Sequence, residues 1–322
     1  MTVPYKVAII LRTKNRPLFL ARALESMRRQ SFQDFRIYII NDGGDADEVA
    51  RIAAQFGPYE EDRVVHVDLP VSGGRGQAMS IGLGLVKEAY VHIHDDDDTL
   101  EPEFYARTVA YLDDDVAGTF VGVTTSSYDI VEHMEDGRIV FDNRFDVYGR
   151  KEGTIVDYSL FLSHVSLLST ITTLFRRSAV AGSHGVDTTL PYVEDQDFFQ
   201  RLMMAGEVGI IPDFLANYHQ RPFVTGGPED KSETDFKYDA VMAYTNNVVR
   251  DAIRGRGKMR ELQAAFIQNS RQGHRYAAPL SHQVSQLQQQ CGQLSQEVSS
   301  LKDDIGRLAR LVSRLADRLE KN

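Results

Sequence analysis

The 322-residue chain contains one cysteine, Cys291, which excludes an intrachain disulfide and gives no sign of an oxidising compartment. It has no uninterrupted apolar stretch near the ~18 residues that a membrane-spanning helix needs. Its opening residues, Met1-Thr2-Val3-Pro4-Tyr5-Lys6, lack the basic region and long apolar core of a secretory leader. Positive charge is scarce as well: 36 Lys and Arg against 46 Asp and Glu leave a net charge of -10. Binding to nucleic acid as a general activity is thereby excluded, since affinity for a phosphate backbone needs a concentrated positive surface. The expectation is a cytoplasmic protein, not transmembrane, with peripheral contact at the inner face of a membrane left open. Three motifs are absent too. There is no G-x-x-x-x-G-K-[ST] loop, Gly74-Arg75-Gly76 lacks the third glycine of a dinucleotide fingerprint, and no G-x-S-x-G elbow marks a serine hydrolase.

What is present describes a globular α/β chain, with 42% hydrophobic and 25% charged residues. Short β-branched runs at 7–11, 36–40, 64–67 and 90–93 alternate with amphipathic helical patterns, the signature of a mostly parallel sheet with crossover helices. Pro17 opens the first helix, with Leu20, Leu24 and Met27 on one face and Arg28-Arg29 near its negative end. Asp42-Gly43-Gly44 and Ser72-Gly73-Gly74-Arg75-Gly76 place polar, glycine-bearing loops where strands hand over to helices, and ligands of open α/β sheets bind at those carboxyl ends. Further on the pattern predicts strands at 120–124 and 171–175 and a helix at 195–205.

Four consecutive aspartates, Asp95 to Asp98, follow directly on the run Tyr90-Val91-His92-Ile93-His94. A buried strand that ends in this much negative charge calls for a cation or another electropositive group. A solvated acidic loop before a helix opening at Glu101-Pro102 is the competing reading. A calcium loop does not fit, since its sixth position is Leu100 and its twelfth Ala106. A second acidic group, Glu194-Asp195-Gln196-Asp197, lies about a hundred residues later. Hard oxygen ligands suit Mg²⁺ or Mn²⁺ bridging carboxylates to a diphosphate. One cluster could hold such a metal and the other supply a base, which fits transfer from a nucleotide-linked substrate.

In order and spacing these segments resemble the inverting family 2 glycosyltransferases of the GT-A fold, over about residues 5–221. Arg12-Thr13-Lys14-Asn15-Arg16 resembles the family's P-T-Y-N-R turn, and Asn41-Asp42-Gly43-Gly44-Asp45 its D-D-G-S-x-D segment. The stretch 74–83 resembles the G-x-x-x-A-x-N-x-G-L helix. Asp95 to Asp98 with Pro102 match D-x-D-D-x-x-x-P, and 194–201 resembles the E-D-x-x-L-x-x-R acceptor helix. The resemblance implies a Rossmann-like, mostly parallel sheet with flanking helices, a nucleotide-sugar donor and a glycan or glycolipid acceptor. Thr13, Asp42 and Arg75 would contact the nucleoside and Asp97 the ribose. Asp95, Asp97 and Asp98 would hold Mn²⁺ or Mg²⁺ on the diphosphate, with metal or phosphate contact implied for His219 as well. Asp195 would be the general base and Glu194 would orient the acceptor. Asn41 stands where the family usually has its first acid and Ser80 where asparagine is common. The Q-x-x-R-W pattern of processive synthases is absent.

After this region, expected at 1–228, comes a helical extension at 229–278 that is basic around Arg250, Arg254, Arg256, Lys258 and Arg260. The tail, 279–322, is a heptad repeat: Val284, Cys291, Val298, Ile305, Val312 and Leu319 alternate with Leu280, Leu287, Leu294, Leu301, Leu308 and Leu315. It predicts a coiled coil that forms a homo-oligomer, dimer or trimer, or binds a partner helix. Two other readings compete: a catalytically silent GT-A-like scaffold acting through that coiled coil, and a nucleotidyltransferase, which would need a glycine-rich loop where Arg12-Thr13-Lys14-Asn15 stands.

Overall fold

The computed structural model describes residues 5–55, 63–146, 149–161, 168–180, 185–190 and 194–221. The expected helical extension, its basic patch and the coiled coil lie outside the described residues. In chain order the elements are β1 (Val7–Thr13), α1 (Pro17–Arg28), β2 (Phe35–Asn41), α2 (Ala46–Gln55), β3 (Val64–Asp68), α3 (Arg75–Leu85), β4 (Tyr90–Asp95), β5 (Thr99–Leu100) and α4 (Phe104–Asp114). Then follow β6 (Phe120–Glu135), β7 (Arg138–Phe145), α5 (Tyr158–Phe161), β8 (Thr173–Arg176), α6 (Arg177–Val180), α7 (Glu194–Leu202) and β9 (Glu207–Gln220).

All seven residues of β1 are buried, as a central parallel strand covered on both faces must be. It runs two residues beyond the expected end, and the extension carries Arg12 and Thr13 to the carboxyl edge. β1 pairs in parallel with β2, Thr13 beside Asn41, and with β4, Arg12 beside Asp95. The sheet order is β3-β2-β1-β4-β8-β6-β9-β5, with β7 pairing only to β6. The first four strands are parallel, whereas β8 runs antiparallel to both β4 and β6. The strand expected at 120–124 is the start of a sixteen-residue strand whose far half folds back as a hairpin with β7.

Alternation along the strands divides the core in two. Val7, Ile9 and Leu11 pack with Leu20, Leu24, Met27 and Phe104, placing α1 and α4 on one face. Ala8 and Ile10 pack with Ala78, Met79, Phe198 and Phe199, placing α3 and α7 on the other. A side chain at Gly82 of α3 would run into Ile10, so that glycine permits a close seat on β1. Gly43, at φ +75°, brings its Cα so near the Ser72 amide that a Cβ would lie 2.6 Å from it, and the two carboxyl-edge loops are thereby held together. Among the described residues no helix is long and apolar enough to cross a membrane.

Candidate active site

The carboxyl ends of β1 and β4 meet the first turns of α3 and α7, and here the two acidic groups of the sequence come together. The aspartate run turns sharply after β4, the Asp98 amide donating to the Asp95 carbonyl at 3.3 Å. Each acid then has a defined neighbour. Asp95 Oδ1 accepts from Arg12 Nε at 2.9 Å and Nη2 at 2.5 Å, while Oδ2 accepts from the Thr170 hydroxyl at 3.3 Å. Asp96 accepts from the Thr13 hydroxyl at 2.7 Å and from Arg16 Nη1 at 3.2 Å. Asp97 accepts from Arg16 Nη1 at 3.2 Å and from Arg221 Nη2, and Asp98 accepts from the His219 amide at 2.9 Å.

Asp96, Asp97 and Asp98 are almost fully buried, whereas the Asp95 side chain is 26% exposed. Four adjacent carboxylates persist there because three arginines face them. The electropositive partner that the strand required is in part the protein itself. Burial would raise the Asp95 carboxyl, but Arg12 outweighs it and holds the group below the usual carboxylate range. At Asp96 burial prevails over Arg16, and with Asp97 beside it the carboxyl is pushed up to about 6.

α7 begins with the second acidic group, three acids in its first turn, where the helix dipole favours negative charge. Glu194 is buried; its Oε1 lies 3.4 Å from Arg75 Nε and 3.7 Å from Arg12 Nη1, and its Oε2 has no hydrogen-bond partner among the described residues. Asp195 is half-buried and accepts from the following amide at 2.8 Å. Burial and the Glu194 charge push its carboxyl up to about 6, against the pull of Arg75 and Arg12. Asp197 turns away to pair with Arg201 one helical turn on.

The residues expected at the nucleoside occupy the same edge. Thr13 faces Asp96. Asp42 is engaged with the glycine loop, accepting from the Ser72 hydroxyl at 2.6 Å and the Gly73 and Gly74 amides at 2.8 and 3.0 Å. Asn41, buried beside it, donates to Asp68 and to the Gly44 carbonyl, which accounts for an amide where an acid was expected. Arg75 opens α3 with its side chain 52% exposed.

His219 is placed at the aspartate run, but both ring nitrogens are engaged, Nδ1 with Glu132 at 2.8 Å and Nε2 with the Thr99 hydroxyl at 2.9 Å. The expected metal contact therefore has no ring lone pair to supply it in this arrangement. His92, between the Tyr105 hydroxyl and the Ile171 carbonyl, is a core residue.

Sequence reading passed over Glu132 and the arginines around it. Glu132, 2% exposed, accepts from Arg22 and Arg221 and faces His219. Burial would raise its carboxyl, but hydrogen bonds from His219 and Arg22 hold it at about 2. Arg221, fully buried over the Phe19 ring, bridges Glu132 to Asp97. Arg22 and Glu132 lie 110 residues apart, so no local pattern signalled the pair.

The sequence matches glycosyl transferase family 2 over residues 8–181. Glycosyltransferase GlyA of Streptococcus pneumoniae is 23% identical over 169 residues, 48% of this chain and 24% of its own. The amylovoran biosynthesis glycosyltransferase AmsE of Erwinia amylovora is 24% identical over 214 residues, 66% of this chain and 74% of its own. The chain thus spans about a quarter of the first relative and three quarters of the second. The crystal structure of S. aureus TarS residues 1–349 superposes with a TM-score of 0.52 at 17% identity, covering 66% of this chain and 60% of that one. Another structure of the same TarS segment, in complex with UDP-GlcNAc, has a TM-score of 0.51 at 18% identity and covers 71% and 64%.

Proposed function

Because the chain belongs to glycosyl transferase family 2 and has the GT-A fold, we propose that it is a metal-dependent inverting glycosyltransferase, moving a sugar from a nucleotide diphosphate to an acceptor hydroxyl in surface polysaccharide or glycoconjugate synthesis. The observation that carries this reading is the convergence of Asp195, a carboxyl held at about 6, with the aspartate run on one sheet edge. Family relatives such as AmsE, named for amylovoran biosynthesis, support the pathway class. TarS, solved with UDP-GlcNAc, supports a nucleotide-sugar donor.

In this reading Asp195 accepts the proton of the acceptor hydroxyl as that oxygen forms its bond to the anomeric carbon. The bond from that carbon to the diphosphate oxygen breaks on the opposite face, and its electron pair leaves with the nucleoside diphosphate. Glu194 orients the acceptor; Thr13, Asp42 and Arg75 receive the nucleoside, and Asp97 the ribose. Among the described residues no group of three His, Cys, Asp or Glu is placed to hold a metal ion. In this reading one or two of the carboxylates Asp95, Asp97 and Asp98 would hold a hard cation completed by phosphate oxygens and water. When bound, Mn²⁺ or Mg²⁺ would offset charge growing on the departing diphosphate. The heptad repeat at 279–322 assembles the enzyme as a dimer or trimer.

Thermal shifts with UDP, GDP, CDP and dTDP, each with and without Mn²⁺, test the donor side, since a ligand that binds only the folded state raises its stability. A Mn²⁺-dependent shift with one nucleotide is expected. Silence across the panel would refute the donor assignment and favour a non-catalytic scaffold. Asp195→Asn is expected to lower transfer by about 10²- to 10⁴-fold, and full activity in that variant would refute the base.

A further inference from the structure

Arg12 touches three elements with one guanidinium. Its Nε and Nη2 donate to Asp95 at the end of β4, at 2.9 and 2.5 Å. Its Nη1 donates to the Arg75 carbonyl at the start of α3, at 3.3 Å, and lies 3.7 Å from Glu194 at the start of α7. The side chain is 5% exposed, so these contacts are made away from bulk water, where an ion pair is little screened. Arg75 also reaches Glu194, but from a side chain half in solvent. Among the described residues Glu194 Oε2 has no hydrogen-bond partner, and the two arginines near this buried acid both approach Oε1. No apolar residue at position 12 could hold that arrangement, because Asp95 and Glu194 would then face each other across the gap between β4 and α7 with Arg75 as the nearest cation.

We propose that Arg12 is a positioning residue that fastens the first turn of α7 to the end of β4 and so fixes Asp195 relative to the aspartate run. This rests on the reading of Asp195 as the base. The groups facing Asp195 are Glu194, which disfavours its ionisation, and Arg75, Arg12 and the Gln196 amide, which favour it. Arg12 thus acts on the base twice: directly through its field, and by holding the helix that carries it.

The test compares Arg12→Met and Arg12→Lys with wild type in the intact chain, alone and in a Glu194→Gln background, where less unpaired charge remains if Arg12→Met by itself does not fold. Two readouts are taken: the carboxyl titration of Asp195 by ¹³C NMR, assigned with Asp195→Asn, and the pH dependence of kcat beside KM for the donor. Arg12→Met is expected to move the Asp195 titration and the acidic limb of kcat upward by about one pH unit or more, the size of effect that a lost opposite charge produces. The donor KM changes less than kcat, and Arg12→Lys restores most of the shift. An Asp195 titration that stays in place in both backgrounds would overturn the proposal, as would Arg12→Lys behaving like Arg12→Met. If Asp195→Asn transfers at the wild-type rate, the base assignment falls, while the NMR shift still decides whether Arg12 acts on the Asp195 carboxyl.

Discussion

Glu132→Gln would remove one charge and almost no volume from the point where Arg22, Arg221 and His219 converge. Two routes give the same magnitude. Glu132 is 2% exposed and held at about 2 rather than the 4.5 of a free glutamate. That difference corresponds to about 3 kcal/mol of stability at neutral pH. Independently, removing one partner of a buried ion pair costs about 3–5 kcal/mol, here because Arg221, fully buried, would lose the charge of one of the acids it pairs with. The sign follows from the depressed value: the contribution is complete above the unfolded-state value of 4.5 and is lost as pH falls through 2. Urea unfolding of wild type and variant should therefore differ by about 3 kcal/mol at pH 7 and by less than about half of that at pH 3. A difference below ~1 kcal/mol at pH 7, the range of an exposed pair, or one that does not narrow on acidification, would refute the assignment of Glu132 as the charged hub.

Three further outcomes are expected. With the Asp195 carboxyl at about 6, transfer should rise with pH through that value, since the base acts only when deprotonated; a rate flat between pH 5 and 7 (roughly a unit either side) would contradict this. Asp98→Ala should abolish the Mn²⁺-dependent part of the nucleotide thermal shift, and a shift equal to wild type would remove Asp98 from the metal site. Deleting 279–322 should lower the oligomeric state while leaving donor binding in place, and an unchanged mass by light scattering would show that assembly occurs elsewhere.

Much of the fold was legible because its signals are local. The four parallel strands and their crossover helices follow from β-branched runs and apolar spacing, each confined to a few residues. Both acidic groups, the glycine loops and their place at strand ends could be read the same way. Strand ends were less legible. β1 continues through Arg12 and Thr13 because β2 and β4 offer it backbone partners as far as Asn41 and Asp95. Neither partner is visible from the run 7–11 itself. The long β6 is a similar case, its far half held by β7 and β9.

Local sequence alone carried the α/β class, the family and the chemistry available at the sheet edge: carboxylates in two groups with glycine loops between them. Tertiary structure decided which charges meet. Arg12 and Asp95 are separated by 83 residues and Arg221 and Asp97 by 124, yet both pairs are in contact. Such pairs are set by strand register and by which face each helix covers, and no local pattern carries that information. Buried charge cannot persist without a partner, so the need for partners was written in the chain, while their identity came only with the fold.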